Sequence, residues 1–424
     1  MECVALVGSA FFCVKLPVIH PKMLTFAIIM KKRIKIGLLG RIIIAMALGV
    51  GIGYVSPMWL AQTFATFSAI FSQFLGFLIP LIIVGFVSPA IADLGNRAGK
   101  MLIVTALIAY LATILAGYGS YLTSDLLFPD ILKNQIMPLE AEEAAVGTEP
   151  FFTIAMPPLM GVTSALVLAF MLGLGCAYIT GKVLRDCIND FRDIVAKAIT
   201  GVVIPLLPIY ICSIFVTMTV EGKVATILTA FSKIILIIFA MHIILLLLQY
   251  CVAALFYRRN PLKMLWTMMP AYFTALGTQS SAATIPITLR QTMVMGVDRD
   301  IAGFVVPLCA TIHMSGSTLK IVSCAVALMV LQGIHYDIGA MTEFITMLGI
   351  TIIAAPGIPG GAIMASLGLL SGVLGFTEAQ NAMMIALYIA MDSFGTACNV
   401  TGDGAIAAII DRIFAKKDKK FGIR

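Results

Sequence analysis

Four polar side chains lie at regular spacing in one of the most apolar parts of the sequence. Asp392, Thr396, Asn399 and Asp403 follow one another at intervals of four, three and four residues within "MDSFGTACNVTGDGAI". On an α-helix this spacing places them along one face. A carboxylate in hydrocarbon costs about 2.5–3.5 kcal/mol on insertion scales, so it requires a cationic partner or water. The stripe therefore indicates a functional site; the plainer alternative is that it joins helices by hydrogen bonds.

The composition is that of a membrane protein with many spans. Of the 424 residues, 60% are hydrophobic and 12% charged, and the mean hydropathy is +1.04. These values exclude a soluble globular domain, and no basic patch interleaved with aromatics indicates nucleic-acid binding. Apolar runs of membrane-spanning length predict helices at about 36–55, 65–88, 101–123, 158–180, 200–220 and 230–256.

Loop charge predicts the orientation in the membrane. Basic residues precede the first span and occupy every second loop, whereas the loop 124–150 is acidic. By the positive-inside rule, both termini are expected in the cytoplasm of a multi-pass protein of the cell (inner) membrane. We interpret residues 1–29 as an N-terminal extension upstream of a start at Met30, and 416–424 as a basic cytoplasmic tail.

The C-terminal half contains two similar interruptions of apolar sequence. "TQSSAATIP" begins at Thr278 and is followed by "ATIHMSGST"; "APGIPGGA" begins at Ala355 and is followed by "MDSFGTACNV". Backbone groups released from a helix in lipid must be satisfied by protein, water or a ligand. Paired broken segments predict inverted repeats with a binding site near the membrane midplane, where helix N-termini attract anions and free carbonyls attract cations.

These motifs, together with "GIPGGA" and "NVTGD", resemble those of the dicarboxylate/amino acid:cation symporters, a family that includes the glutamate transporters. The resemblance runs from about residue 30 to 415. It implies an all-α membrane protein of about eight transmembrane helices and two re-entrant helical hairpins, working as an elevator within a homotrimer. Residues 30–260 would form transmembrane helices 1–6, and 261–415 the core transport domain: hairpin 1, broken helix 7, hairpin 2 and helix 8.

The resemblance also implies roles for individual residues. Asp392 would hold the substrate's α-ammonium group, and Asn399 its α-carboxylate. The remaining substrate contacts would come from Ser280 and Ser281 at the first hairpin tip, Thr396, and the backbone of Gly357, Ile358, Pro359 and Gly360 at the second. Asn399 and Asp403, with backbone carbonyls near Cys309 and His313, would bind Na⁺, since oxygen ligands suit a hard cation. A second Na⁺ site would use Thr311 and carbonyls of the second hairpin.

Three departures from the family pattern bear on the substrate and the ions. Gly395 stands where acidic-amino-acid carriers have an arginine, so a second carboxylate lacks its bidentate partner. A neutral amino acid then fits better, with room above Gly395 for its side chain and a hydroxyl from Ser317. The break reads His313-Met314-Ser315 where the family has Asn-Met-Asp, which predicts fewer coupled Na⁺ ions.

Lys320 is the third departure, since the family usually has tyrosine there. An ionisable residue at membrane depth is a functional hypothesis by default. Lys320 would either serve as a tethered ammonium near Asp403, or couple transport to H⁺ together with His313. Snorkelling to a vestibule and hydrogen bonding to the unwound backbone remain the plainer alternatives for the two residues.

The sequence therefore predicts a secondary active symporter that moves a small neutral amino acid into the cell with Na⁺. A dicarboxylate or acidic amino acid carrier, H⁺-coupled through Lys320 and His313, remains the alternative, although it leaves Asp392 facing a like charge. A membrane enzyme lacks support, because the sequence has neither HExxH nor GxSxG. A passive channel fits the broken helices but not the substrate-like set of side chains.

Overall fold

The structure is a computed structural model that describes residues 38–96, 100–133, 148–353, 355 and 360–414. Every regular element among them is helical, as predicted. The helices of the first part are α1 Leu38–Val55, α2 Met58–Asn96, α3 Lys100–Ile131, α4 Val162–Tyr178, α5 Val183–Ala198, α6 Ile204–Val220 and α7 Val224–Tyr257. Those of the second part are α8 Pro261–Thr267, α9 Met269–Thr278, α10 Ser281–Met295, α11 Arg299–Ile312, α12 Ser315–Gln332, α13 Ile338–Ile353, α14 Gly361–Gly372, α15 Glu378–Ala390 and α16 Asp392–Phe414.

Several of these helices can cross a bilayer. Within the described residues, five are long and apolar enough: Met58–Pro89, Lys100–Ile131, Val183–Val220, Val224–Tyr257 and Arg299–Gln332. The pair α15 and α16 makes a sixth candidate, bent by 62° at its break, and further apolar helices are shorter. The six spans predicted for the first part correspond to α1, α2, α3, α4, α6 and α7, with shifted ends.

The segment after α4 differs from the expectation. The basic residues around 182–197 are predicted to lie in a loop, but they form α5, which continues through a π-helical turn at Ile199–Val203 into α6. The physical reason is an amphipathic pattern: Ile188 and Val195 are buried on one face, while the charged residues lie on the other.

The predicted interruptions of the second part are present. Two helices, α9 and α10, meet at Gln279 and Ser280, where Gln279 has the left-handed φ of 54°. The apolar helix after this hairpin breaks at His313 and Met314, between α11 and α12. The second hairpin consists of α13 and α14, and its tip contains Gly357, Ile358 and Pro359, which lie outside the described residues. So do residues 1–37 and 415–424.

Helices of the second part form much of the protein interior. Nearly all side chains of α12 and α16 are buried, as are most of α14 and α15. Among the described residues, α16 packs against α7, α9, α10, α11 and α12. This arrangement places the polar stripe of α16 opposite the break between α11 and α12.

Small residues join α1 to α6. The run "GVGIGY" is predicted to be a packing face, and a Cβ built on Gly49 would lie only 2.6 Å from the carbonyl oxygen of Cys212. A Cβ on Gly53 would lie 2.4 Å from the Cβ of Thr219, whereas a Cβ on Gly51 would meet no atom within 4 Å. Gly49 and Gly53 therefore permit the close approach of the two helices, and Gly51 faces away.

We expect Gly49→Ala to lower the midpoint of thermal unfolding in detergent, because overpacking a tight contact costs about 1–3 kcal/mol. Gly51→Ala is the matched control. It should be neutral or stabilising by about 0.5–1 kcal/mol, since alanine restricts the unfolded chain more than glycine. Equal shifts for the two variants would contradict this account of the interface.

Candidate functional site

Asp392 begins α16 beside the second hairpin, and both of its carboxylate oxygens have partners. The Lys320 ammonium donates to Oδ1 at 2.9 Å, and the backbone N–H of Gly360 donates to Oδ2 at 2.8 Å. Lys320 has an exposed fraction of 0% and Asp392 of 4%. A buried, hydrogen-bonded ion pair thus lies where α12, α16 and the second hairpin meet.

The space above Gly395 is filled, contrary to the expectation of room for a substrate side chain. A Cβ built on Gly395 would lie 2.7 Å from Lys320 Nζ and 2.8 Å from its Cε. The same ammonium lies 3.5 Å from the centroid of the Tyr388 ring, a cation–π geometry. The expectation that Lys320 lies near Asp403 is also wrong, because its carboxylate partner is Asp392.

Asn399 fixes the start of α12. Its side-chain oxygen accepts from the backbone N–H of Gly316 at 2.8 Å and of Ser317 at 3.3 Å. Its amide nitrogen donates to the Ser317 hydroxyl at 3.0 Å. The same hydroxyl also accepts from the Tyr388 hydroxyl at 3.2 Å. The N–H groups at a helix N-terminus are the ones without intrahelical partners, so one stripe residue satisfies the backbone that the break releases.

His313 and Asp403 form a second buried pair. His313 Nδ1 and Asp403 Oδ1 are 2.9 Å apart, with side-chain exposures of 0% and 1%. The His313 imidazole is therefore directed at Asp403. The backbone N–H of His313 donates to the carbonyl of Cys309 at 2.8 Å. Carbonyl and carboxylate oxygens of the kind predicted for Na⁺ thus lie around this break.

Two residues of α7 complete the surroundings of the break. His242 Nε2 lies 3.0 Å from the carbonyl oxygen of Gly316, and Gln249 Nε2 donates to the Ser315 hydroxyl at 2.9 Å. Neither Gln249 nor Tyr388 is among the site residues predicted from the sequence. Since His242 and Gln249 are seven residues apart, two turns on an otherwise apolar helix, their spacing could have indicated a shared polar face.

The first hairpin tip contacts the same helix. Gln279 Nε2 donates to the Ser393 hydroxyl at 2.8 Å, which places the tip next to Asp392. Ser280 caps α10 by accepting from the N–H of Ala283, and Ser281, the first residue of α10, is half-buried. Both predicted serines therefore lie at the tip, near the start of α16.

The remaining predicted residues differ in their positions. Thr396 is buried on α16, as the stripe requires. Thr311 is exposed, and its hydroxyl donates to the carbonyl of Leu308 at 2.7 Å within its own helix. The structure thus brings Asp392, Asn399, Ser317, Lys320 and Gly360 together, with His313 and Asp403 further along α16, but leaves the Thr311 hydroxyl outside this cluster.

Residues 38–413 match the model of the sodium:dicarboxylate symporter family. The chain is 25% identical to the serine/threonine transporter SstT of Acinetobacter baylyi over 89% of its own length and 98% of that protein. It is 27% identical to excitatory amino acid transporter 4 of Rattus norvegicus over 70% of its length, and it spans only 54% of that protein.

We expect Asn399→Ala to lower thermal stability in detergent, because it leaves buried N–H groups of α12 without an acceptor, at about 1–3 kcal/mol per group. Asn381→Ala is the control, since its side chain makes an exposed hydrogen bond to Ser371. That variant should change the unfolding free energy by less than about 1 kcal/mol. A loss in Asn399→Ala no larger than in Asn381→Ala would rule out the capping role.

Proposed function

Since the chain belongs to the sodium:dicarboxylate symporter family, we propose that it moves a small neutral amino acid into the cell together with Na⁺. The family and the relatives consist of transporters, in keeping with a protein that is not an enzyme. Serine, threonine and alanine are the substrates we propose, and the name of the similar serine/threonine transporter supports this choice.

One observation carries the proposal. Asp392 lies where the tips of both hairpins approach the start of α16, with Gln279 bonded to Ser393 on one side and Gly360 bonded to Asp392 on the other. The α12 N-terminus lies close by, capped by Asn399. The Asp392 carboxylate suits an ammonium group, and the nearby helix dipole favours negative charge, so the two together fit the charged groups of an amino acid.

The charges around Asp392 favour a neutral amino acid over an acidic one. Lys320 is the cation that contacts Asp392, and the two already compensate each other. A zwitterion adds no net charge, whereas an acidic amino acid adds a carboxylate for which Gly395 supplies no guanidinium. Substrate contacts are proposed from Ser280, Ser281, Ser317, Gly360, Asp392, Gly395, Thr396 and Asn399.

Na⁺ is the proposed coupling ion, and Asp403 the central side chain of its site. The carbonyls of Cys309 and His313 would supply further oxygens, and oxygen-only coordination suits a hard cation. Asn399 would join them by releasing its side-chain oxygen from the N–H groups of Gly316 and Ser317. A second ion at the level of Thr311 would rely on backbone carbonyls, because the Thr311 hydroxyl already donates to Leu308.

A dicarboxylate carrier is the second candidate, and Lys320 is the observation that favours it. The pairing of Lys320 with Asp392 weakens the objection that a dicarboxylate would meet a like charge there. H⁺ coupling through Lys320 and His313 belongs to this alternative. The uptake experiment below separates the two candidates.

The family resemblance extends the proposal to the whole assembly. We propose a homotrimer in the cell (inner) membrane, with both termini in the cytoplasm. Residues 261–415 would form the transport domain that moves as an elevator against a scaffold drawn from helices of 30–260.

In proteoliposomes, we expect an inward Na⁺ gradient to drive accumulation of labelled serine, threonine or alanine. Aspartate and succinate should be accumulated at least tenfold less. Asp392→Ala should reduce neutral amino acid uptake at least tenfold, because the ammonium group loses its carboxylate. Preferred uptake of succinate, or accumulation driven by a pH gradient alone, would favour the dicarboxylate alternative.

Asp403→Asn should raise the Na⁺ concentration for half-maximal uptake at least tenfold, because a neutral amide attracts a cation less strongly than a carboxylate. The order of preference among amino acids should stay the same. Asp411→Asn is the matched control on α16, since Asp411 accepts from the backbone of Asp298, away from the break. An unchanged Na⁺ dependence in Asp403→Asn would remove this residue from the ion site.

A further inference from the structure

The pairing of Lys320 with Asp392 limits what can bind between them. Both side chains are buried, and each is the charged partner of the other at 2.9 Å. Separating a buried ion pair without replacing both partners leaves an uncompensated charge, which is strongly unfavourable. Any substrate that binds to Asp392 in place of Lys320 must therefore also offer Lys320 a new partner.

Among the described residues, Asp392 is the only carboxylate paired with Lys320. Around its ammonium the described residues place the Tyr388 ring and the backbone of Gly395. The next carboxylate along the stripe, Asp403, is paired with His313. A protonated Lys320 released from Asp392 thus needs an anionic group from the substrate itself.

Ligands of different charge can be compared on this basis. An amine without a carboxylate would satisfy Asp392 and leave Lys320 unpaired. A carboxylate without an ammonium, including a dicarboxylate, would satisfy Lys320 and leave Asp392 unpaired. A zwitterion supplies both partners, so its entry exchanges one internal ion pair for two ion pairs with the ligand.

We propose that Lys320 is a substrate-binding residue that receives the α-carboxylate of an amino acid while Asp392 receives the α-ammonium group. This inference rests on the proposed amino acid transport and adds a side chain that selects zwitterions. In the structure, Lys320 lies at the position proposed for the α-ammonium group, and Asp392 at the position proposed for the α-carboxylate.

Gly395 is part of the same arrangement. Because a Cβ at this position would lie 2.7 Å from Lys320 Nζ, any larger residue displaces the ammonium. Glycine on α16 and lysine on α12 therefore form a matched pair. Gly395→Ala should weaken zwitterion binding even though it removes no charge.

The first test uses the unmodified protein and three ligands that share one hydroxyl-bearing end. Serine carries both charged groups, ethanolamine lacks the carboxylate, and 3-hydroxypropionate lacks the ammonium. Competition against labelled amino acid uptake in proteoliposomes should show serine binding at least a hundredfold more tightly than either analogue. Binding of either analogue as tightly as serine would overturn the proposal.

The second test removes one charge of the pair at a time and measures how the affinity for each analogue changes relative to serine. Lys320→Met should weaken serine binding at least tenfold and raise the affinity for ethanolamine relative to serine. Asp392→Asn should raise the affinity for 3-hydroxypropionate relative to serine. A merely structural ion pair would lower stability in both variants without these opposite changes in preference.

Controls keep the outcomes distinguishable. Lys233→Met removes a lysine of α7 that donates to the carbonyl of Ile131, and it should leave the ligand order unchanged. If Lys320→Met does not fold, Gly395→Ala and the analogue series on the unmodified protein decide the question. Na⁺-driven serine uptake with an unchanged ligand order in Lys320→Met would refute the inference alone, whereas absence of neutral amino acid uptake in the unmodified protein would refute the proposed function.

Discussion

The organisation of the site depends on the cost of burying two carboxylates in an apolar helical bundle. Asp392 and Asp403 lie on one helix, α16, and each has a cationic or ionisable partner: Lys320 of α12 for the first, and His313 at the break for the second. Such groups are tolerated in a membrane interior only when paired or hydrated. The packing of α12 against α16 must therefore align each carboxylate with its partner.

The broken backbone and the polar stripe also depend on each other. A helix that stops in a membrane leaves N–H and C=O groups that must find partners in the protein. Asn399 accepts two of the N–H groups at the start of α12, His242 lies against the carbonyl of Gly316, and Asp392 accepts the N–H of Gly360. The polar residues that indicate a binding site on α16 thus also stabilise the helix interruptions around it.

Local sequence pattern predicts much of this arrangement. It predicts least well which side chains pair with one another. Spacing of the stripe and the Pro, Gly and Ser breaks suffice to predict one polar face on α16, the first hairpin and the break at His313. Spacing could not decide which carboxylate Lys320 contacts, because that depends on how α12 and α16 align. The prediction of free space above Gly395 is wrong for the same reason. A missing side chain leaves a cavity only if no neighbouring side chain fills it, and here Lys320 fills it.

Charge compensation also constrains the proposed substrate. With Lys320 paired to Asp392, neither side chain is left as an uncompensated buried charge, which would be strongly unfavourable. A zwitterion that inserts between the two side chains preserves the compensation, since it adds one charge of each sign. A ligand of net charge would not, and it would need an additional ion to travel with it. The ion pair of Lys320 and Asp392 therefore bears directly on the charge that the proposed substrate can carry.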